Sequence, residues 1–518
     1  MKATTPTCIL ELPLVVGDKE ERRLRTTFDF CRQLYNATLG TALGRLQVMR
    51  ESKEWRAARE MPKGKERTQC FQKIQQQAGL TQYGVEKIAL KHKNAGSLKV
   101  WIGAHECQMI AKQVWSAVER FMFGKGGRPR YKSKSRGLHS VSGKSAETGL
   151  IWVNDDSFMG IRWMKHHFAV KFKNTRYNRE MLYVDGDPTK PRRVKYCRVV
   201  RRTVKKRVRW FLQIVLEGLP PVRHVYAPLC ERVGVDVGPS KAAVVTPHSV
   251  ALMPIAPNVE TLEDVIRRIQ RAMDRSRRAM NPGNYNEDGT VKKGALQWVF
   301  SKHYKELQVT LQELHRVQAA TRWRDHGTFV NRIFEEGGTV CLEKLSYVAF
   351  QKMYGRSSQR HAMGEFVSRL KQRAASAARK VVELNTRELR MSQYDHITQT
   401  YVKKPLSQRW HRLGETNWII QRDVYSALLA MCAAENGHDP SSVERRLRAK
   451  DALLQSAGLL RQFQPAKDQT WAQALARLTR EPIVDFASEP VQTKTTCTLR
   501  DSSSIPEGQK PLQAGGKS

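Results

Sequence analysis

A chain of 518 residues with 90 Lys+Arg against 49 Asp+Glu carries a formal net charge of +41. At roughly 150 residues per domain it should hold two to four domains, and 40% hydrophobic residues are enough for real cores, which excludes a disordered basic tail protein. Such an excess of cations repels itself unless a polyanion neutralises it, and nucleic acid is the commonest polyanion; a solubility surface or an anionic membrane is the competing reading.

No stretch approaches the ~18 apolar residues of a membrane-spanning helix. The opening MKATTPTCILELPLVVGDKEERR is broken by Glu11 and Pro13 and shows no secretory core or cleavage site, so an intracellular location is expected. Residues 21–120 carry apolar positions at helical spacing, as in RTTFDFCRQLYNATLGTAL and QMIAKQVWSAVERFMF. GKGGRPRYKSKSRG follows, where Arg128, Arg130, Lys132 and Lys134 flank Tyr131 among glycines. Cations there can bind phosphate and the ring can stack an unpaired base; a flexible charged linker is the alternative. From about 150 to 220 the pattern is strand-like, and KYCRVVRRTVKKRVRWFLQIVLEG predicts a hairpin with one apolar and one cationic face.

ERVGVDVGPSKAAVV then places Asp236 in an apolar strand, with AAVVT as the next strand. A helix presents Leu262, Val265, Ile266, Ile269 and Met273 on one face. Arg267, Arg268, Arg271, Arg275 and Arg278 lie on its other face, suited to the backbone of a nucleic-acid duplex. After the break NPGNYNEDG comes a second helix, YKELQVTLQELHRVQAATRW, in which Trp323 is either a stacking group or core. TVCLE is a buried strand ending in Glu343, GEFVSRLKQRAASAARK a helix, VVELN a strand, and NWIIQRDVYSALLAMCA a helix headed by Asp423. Beyond Asn436 a helical appendage is expected, with a capping box from Ser441 to Glu444. The last ~25 residues are polar and rich in Pro, Gly and Ser, the composition of disorder. The nine cysteines, with no CxxC among them, read as reduced thiols and offer neither a disulfide framework nor a cysteine zinc site.

Asp236, Glu343 and Asp423 therefore occupy two strand positions and one helix start. If the two strands are neighbours, the three carboxylates converge at one sheet edge. A cluster of that kind repels itself and shares its titration. Hard divalent cations bound through oxygen relieve the repulsion, and two of them can stabilise both oxygens of a phosphodiester displacement. Capping or ion pairing with the many arginines is the ordinary alternative for any one of these acids.

GVDVGPSKAAVV, TVCLEKL and QRDVYSALLA resemble the split RuvC-type nuclease motifs of the TnpB family, transposon-encoded proteins related to type V CRISPR effectors. MGEFVSRLKQRAASAARKVVELNT and SAVERFMFGKGGRPRYKSKSRG are similar to two further family segments, so the likeness spans roughly residues 20–435 in family order. The resemblance implies an α/β multidomain protein with an RNase-H-like (RuvC-type) nuclease domain, an N-terminal β-barrel wedge domain and an inserted helical recognition domain. The wedge would comprise 1–20 and 121–225, the recognition insertion 21–120, and the nuclease domain 226–435. The last of these would include a helical hairpin at 261–335 and a basic loop at 391–418, with 436–518 as appendage and tail. Asp236, Glu343 and Asp423 become the catalytic, metal-binding acids of an RNA-guided DNA endonuclease using Mg²⁺, or Mn²⁺ in its place. Guide RNA and target double-stranded DNA are the implied partners, with no membrane, in a prokaryotic cytoplasm beside the nucleoid. One or two copies per RNA remain open, as does the origin of the guide.

The chain departs from the family where a four-cysteine zinc ribbon usually precedes the last Asp. His396, Asp395 and His411 in that interval do not form a convincing four-ligand set, and no zinc is expected. Lys403, Lys404, Arg409, Trp410 and Arg412 are expected there instead, as a phosphate-gripping and stacking loop, with a solvated surface loop as the alternative. Tyr425 and Lys344 replace residues common in the family without removing a metal ligand. A nuclease-deficient RNA-guided DNA-binding repressor is the second reading, and a transposase the third.

Overall fold

A computed structural model describes residues 5–205, 207–221, 230–294, 296–405, 408–434, 437–466, 468–478 and 486–487. Their contacts form two compact units. The first comprises the described residues of Met1–Leu229, Ile255–Thr339 and Ser346–Val381, and the second those of Cys230–Pro254, Val340–Leu345 and Val382–Ser518.

In the first unit the helix Asp18–Glu51 buries Leu24, Phe28, Cys31, Leu34, Leu39 and Leu46, three to seven residues apart on one face. Its first turn holds Asp18, Glu20 and Glu21, where carboxylates favour the positive end of the helix dipole, and the Gly17 N–H donates to Glu20 at 3.0 Å. The helix packs on Ala104–Met122 and inserts Phe28 edge-on against Trp163 (6.3 Å) and Trp210 (4.9 Å), which joins helices to strands in one core.

The predicted hairpin is present as Val194–Val204 paired antiparallel with Arg207–Glu217. Thr7–Pro13 and Ser140–Ser142 flank it to make a four-stranded sheet, beside a three-stranded sheet of Leu150–Asn154, Met159–Trp163 and His166–Ala169. The bridge between Leu14 and Val170 links the two. The N-terminal barrel expected over 1–20 and 121–225 thus takes the form of two open sheets; no closed ring of strands occurs among the described residues. The arginine-faced helix runs Glu263–Met280 and the second long helix Lys302–Glu336.

The second unit holds most of a six-stranded sheet in the order Lys380–Leu384, Gly337–Glu343, Cys230–Val237, Lys241–Val245, Val250–Pro254, Phe486–Ala487. Its centre is an antiparallel meander in which Asp236 pairs with Ala243 and Val245 with Val250. The helix Arg422–Cys432 lies against the strand Cys230–Val237 and is buried nearly throughout, Val424, Ala427 and Leu428 facing Val245 and Leu252 in one cluster. Gly234 permits this approach: a methyl group there would collide with the Ala427 carbonyl and the Met431 amide of the helix.

Two local expectations are corrected. NWIIQRDVYSALLAMCA is not one helix: Trp418–Gln421 is a strand paired with Trp410–Arg412 and Leu460–Gln462. Ile419 and Ile420, fully buried and β-branched, suit that strand, and the helix begins only after Gln421, whose side chain accepts the Val424 N–H at 2.7 Å. The capping box from Ser441 to Glu444 does not form either. Asp439 caps the helix Pro440–Arg448 by accepting from the Ser442 N–H at 2.9 Å, while Glu444 is held by His396 and Arg448. The polar tail expected to be disordered lies outside the described residues. Among the described residues no helix is long and apolar enough to cross a membrane.

Candidate active site

The condition on which the acidic trio depends is met: the strands carrying Asp236 and Glu343 are neighbours in the sheet. Asp423 reaches the same region as the second residue of the helix that packs on Asp236's strand. Burial raises the Asp236 carboxyl well above the usual carboxylate range, and the negative fields of Asp423 and Glu343 push it further, with Arg422 and Arg409 partly offsetting them. Burial likewise raises Glu343, opposed by the Met391 N–H, which donates to its carboxylate at 3.2 Å. Asp423 is steered from three sides. Arg422 donates to Oδ1 at 3.2 and 3.3 Å, Gln421 to Oδ2 at 3.2 Å, and the Arg409 guanidinium stands 3.9 Å from Oδ2.

By charge and donor type the trio suits a hard divalent cation: three carboxylates, two of which, Asp423 and Glu343, act against a charge on the third, Asp236. Among the described residues, however, no three His, Cys, Asp or Glu side chains already stand as a closed metal-holding group. Arg422 and Gln421 are the site residues that sequence reasoning missed. Their adjacency to Asp423 was the available signal, since groups next to a helix-start acid can hold its carboxylate.

Beside this cluster the segment 391–418, expected as a phosphate-gripping and stacking loop with a solvated surface loop as the alternative, contains a buried polar network. His411 Nε2 lies 3.0 Å from Asp395 Oδ2, and the His411 ring stacks on Tyr425 at 4.6 Å. The Tyr425 hydroxyl accepts the His396 N–H at 2.9 Å and lies 2.8 Å from His396 Nδ1, while His396 Nε2 meets Glu444 at 2.9 Å. Burial works against the Asp395 charge, but His411 and the Gly414 and Thr398 N–H groups prevail and hold its carboxyl well below the usual range. Asp395→Ala would leave His411 Nε2 and three backbone N–H groups, of Ile397, Thr398 and Gly414, without their partner. It should cost about 1–3 kcal/mol in urea unfolding; a change within about 0.5 kcal/mol, as at an ordinary surface position, would mean the segment is held by other contacts.

Of the predicted phosphate-gripping residues, Lys403 is exposed, and Arg409 lies beside Asp423. Lys404 is half-buried against His411 and brought down to about 8 by burial. Trp410 is corrected: it is 5% exposed, under Arg461 at 4.3 Å and packed with Leu475 and Leu478, so it presents no open ring to a base.

In the first unit Tyr131 is 58% exposed, with Arg128, Arg130 and Lys134 exposed around it. This segment is pinned rather than loose, because Lys132 exchanges two hydrogen bonds with Asn36, at 2.8 and 2.9 Å. On the helix Glu263–Met280 all five predicted arginines are exposed. Arg267 and Arg278 pair with Glu263, Asp264 and Asp274, whereas Arg268, Arg271 and Arg275 share one face and form no ion pair among the described residues. Replacing those three with Gln should weaken nucleic-acid binding and flatten its salt dependence by up to about 2–3 units of log K per log salt; an unchanged slope would remove this face from the interface. Trp323 is 59% exposed with Arg369 stacked 3.8 Å from its ring, so it is not core.

No protein-family model matches the chain, and no curated protein matches it in sequence. Among the solved structures that this chain is similar to are two cryo-EM complexes. One is a cryo-EM structure of a Cas12f1–sgRNA–target DNA complex, 12% identical, covering 82% of this chain and 98% of that chain with a TM-score of 0.40. The other is a cryo-EM structure of a CRISPR-Cas12f ternary complex, 12% identical, covering 83% and 100%, with a TM-score of 0.28.

Proposed function

We propose that this chain is an RNA-guided DNA endonuclease of the TnpB type, with an RNase-H-like nuclease domain in its second unit. The observation that carries the reading is the meeting of Asp236 and Glu343 on adjacent strands with Asp423 on the helix packed against them. A three-stranded meander with two later strands added beside its first strand supports the RNase-H-like assignment. Asp236, Glu343 and Asp423 would hold Mg²⁺, or Mn²⁺ in its place; the ion supplies charge stabilisation and an activated water for hydrolysis of the phosphodiester. Arg422 keeps the Asp423 carboxylate oriented through two hydrogen bonds, and Arg409 adds positive charge beside it. The net charge of +41, with exposed cations around Tyr131 and along the helix Glu263–Met280, suits RNA and DNA backbones.

Sequencing the RNA that copurifies with the protein, then incubating the complex with complementary duplex DNA and Mg²⁺, tests the reading. A defined RNA and cut target are expected. A defined RNA with DNA left intact under both Mg²⁺ and Mn²⁺ would favour a binding repressor instead, and the absence of any defined RNA would remove the guide.

A further inference from the structure

The helical part of the first unit contains a cavity of about 900 Å³ that the residues above do not line. Its walls come from the end of the helix Asp18–Glu51, the helices Lys53–Glu60 and Lys65–Gln77, and the end of Ala104–Met122. Arg50, Arg59 and Arg67 line it against a single acid, Glu119. None of the three arginines has an ion pair among the described residues; Arg50 lies over Phe121 at 4.9 Å and Arg67 over Phe71 at 5.5 Å. Trp55 and Phe71 meet edge-on at 4.6 Å and are both half-buried, so part of each ring stays open. Gln75 spends its amide on the Leu80 carbonyl at 2.7 Å, whereas the exposed side chains of Gln72 and Gln76 make no hydrogen bond among the described residues.

This combination selects a class of ligand. A purely apolar molecule would desolvate unpaired guanidiniums at a large cost. An acidic peptide would satisfy the arginines but bring no planar group for the rings. A nucleotide does both, since guanidinium forks match phosphate and every base has a face to stack on an aromatic ring. The volume lies at the upper end of ligand pockets, room for one base with its flanking phosphates. We propose that this cavity binds an unpaired nucleotide of a single strand, its phosphates on Arg59 and Arg67 and its base against Trp55 and Phe71. The inference rests on the nucleic-acid-binding half of the reading above and is independent of the carboxylate trio.

The test uses the full-length protein and a single-stranded oligoribonucleotide bearing 5-iodouridine, crosslinked by light, with its deoxy counterpart in parallel. Crosslinks are expected on Trp55 or Phe71, lost when the strand is annealed to its complement; the stronger of the two arms identifies RNA or DNA as the source. The double variant Arg59→Gln/Arg67→Gln should flatten the salt dependence of binding by about 1.4 units, two single-strand phosphate contacts. Trp55→Ala should weaken binding about tenfold, and Trp55→Phe should largely restore it, which a merely unfolded pocket would not allow. Asp236→Asn should leave all of these results unchanged, so loss of the catalytic reading and loss of this one are separable. Crosslinks mapping elsewhere, an unaltered salt slope in the double variant, or displacement of the probe by polyglutamate as efficient as by unlabelled strand would overturn the proposal.

Discussion

Asp236→Asn is expected to abolish cutting of target DNA while the guide RNA stays bound. The substitution keeps the shape of the side chain and removes the charge that both other acids act upon. Because charge stabilisation by a bound cation is worth several kcal/mol, the loss of cleavage should be at least about a hundredfold. The same variant should be more stable than the parent in metal-free buffer, the reverse of the usual effect of a core substitution. The sign follows from proton binding. Asp236's folded-state carboxyl sits above its unfolded value, so between the two the folded state holds the extra proton. Stability therefore falls as pH rises from the ordinary carboxylate value of about 4 through the raised one. Thermal midpoints in chelator across that range should slope downward for the parent and more gently for Asp236→Asn. Added Mg²⁺ should raise the parent's midpoint more than the variant's, since a ligand bound only by the folded state stabilises it. Cleavage at the parental rate by Asp236→Asn would end the catalytic assignment.

Gly234→Val should damage the same site without touching an acid. The side chain would be driven into the Ala427 carbonyl and the Met431 amide, and backbone cannot rotate aside as a flexible side chain can. The helix Arg422–Cys432 would have to withdraw from the strand Cys230–Val237, carrying Asp423 away from Asp236. Overpacking of this kind costs about 1–3 kcal/mol, measurable by urea unfolding. Misplacement of a reacting group by about 1 Å can cost a further hundredfold in rate. Gly234→Val with parental stability and activity would mean that the helix does not depend on this close approach.

Neither effect could be assigned from Gly234 or Asp236 in isolation. The local signals were strong: an apolar run holding Asp236, an alternating hairpin over 194–217, and helical spacing through Asp18–Glu51 all appear as elements of those types. Errors fell where two local patterns overlapped. Ile419 and Ile420 continue the apolar spacing of the helix that follows, and only pairing with Trp410–Arg412 and Leu460–Gln462 makes them a strand. Glu444 has the spacing of a capping residue, but a histidine 48 positions earlier claims its carboxylate. Trp410 stands among cations in the sequence, a setting that predicts a ring open to a base, yet a helix some 60 residues later in the chain covers it.

By itself the amino-acid order determined the polyanion-seeking charge, the types of most elements and the three acids worth watching, because these depend on composition and on neighbours a few residues apart. The tertiary structure alone decided that the strands ending near Asp236 and Glu343 lie side by side, and that Asp395, His396, His411 and Tyr425 close into a buried polar network. Strand order and buried hydrogen bonding are set by which distant surfaces exclude water together, and no local window of the chain contains that information.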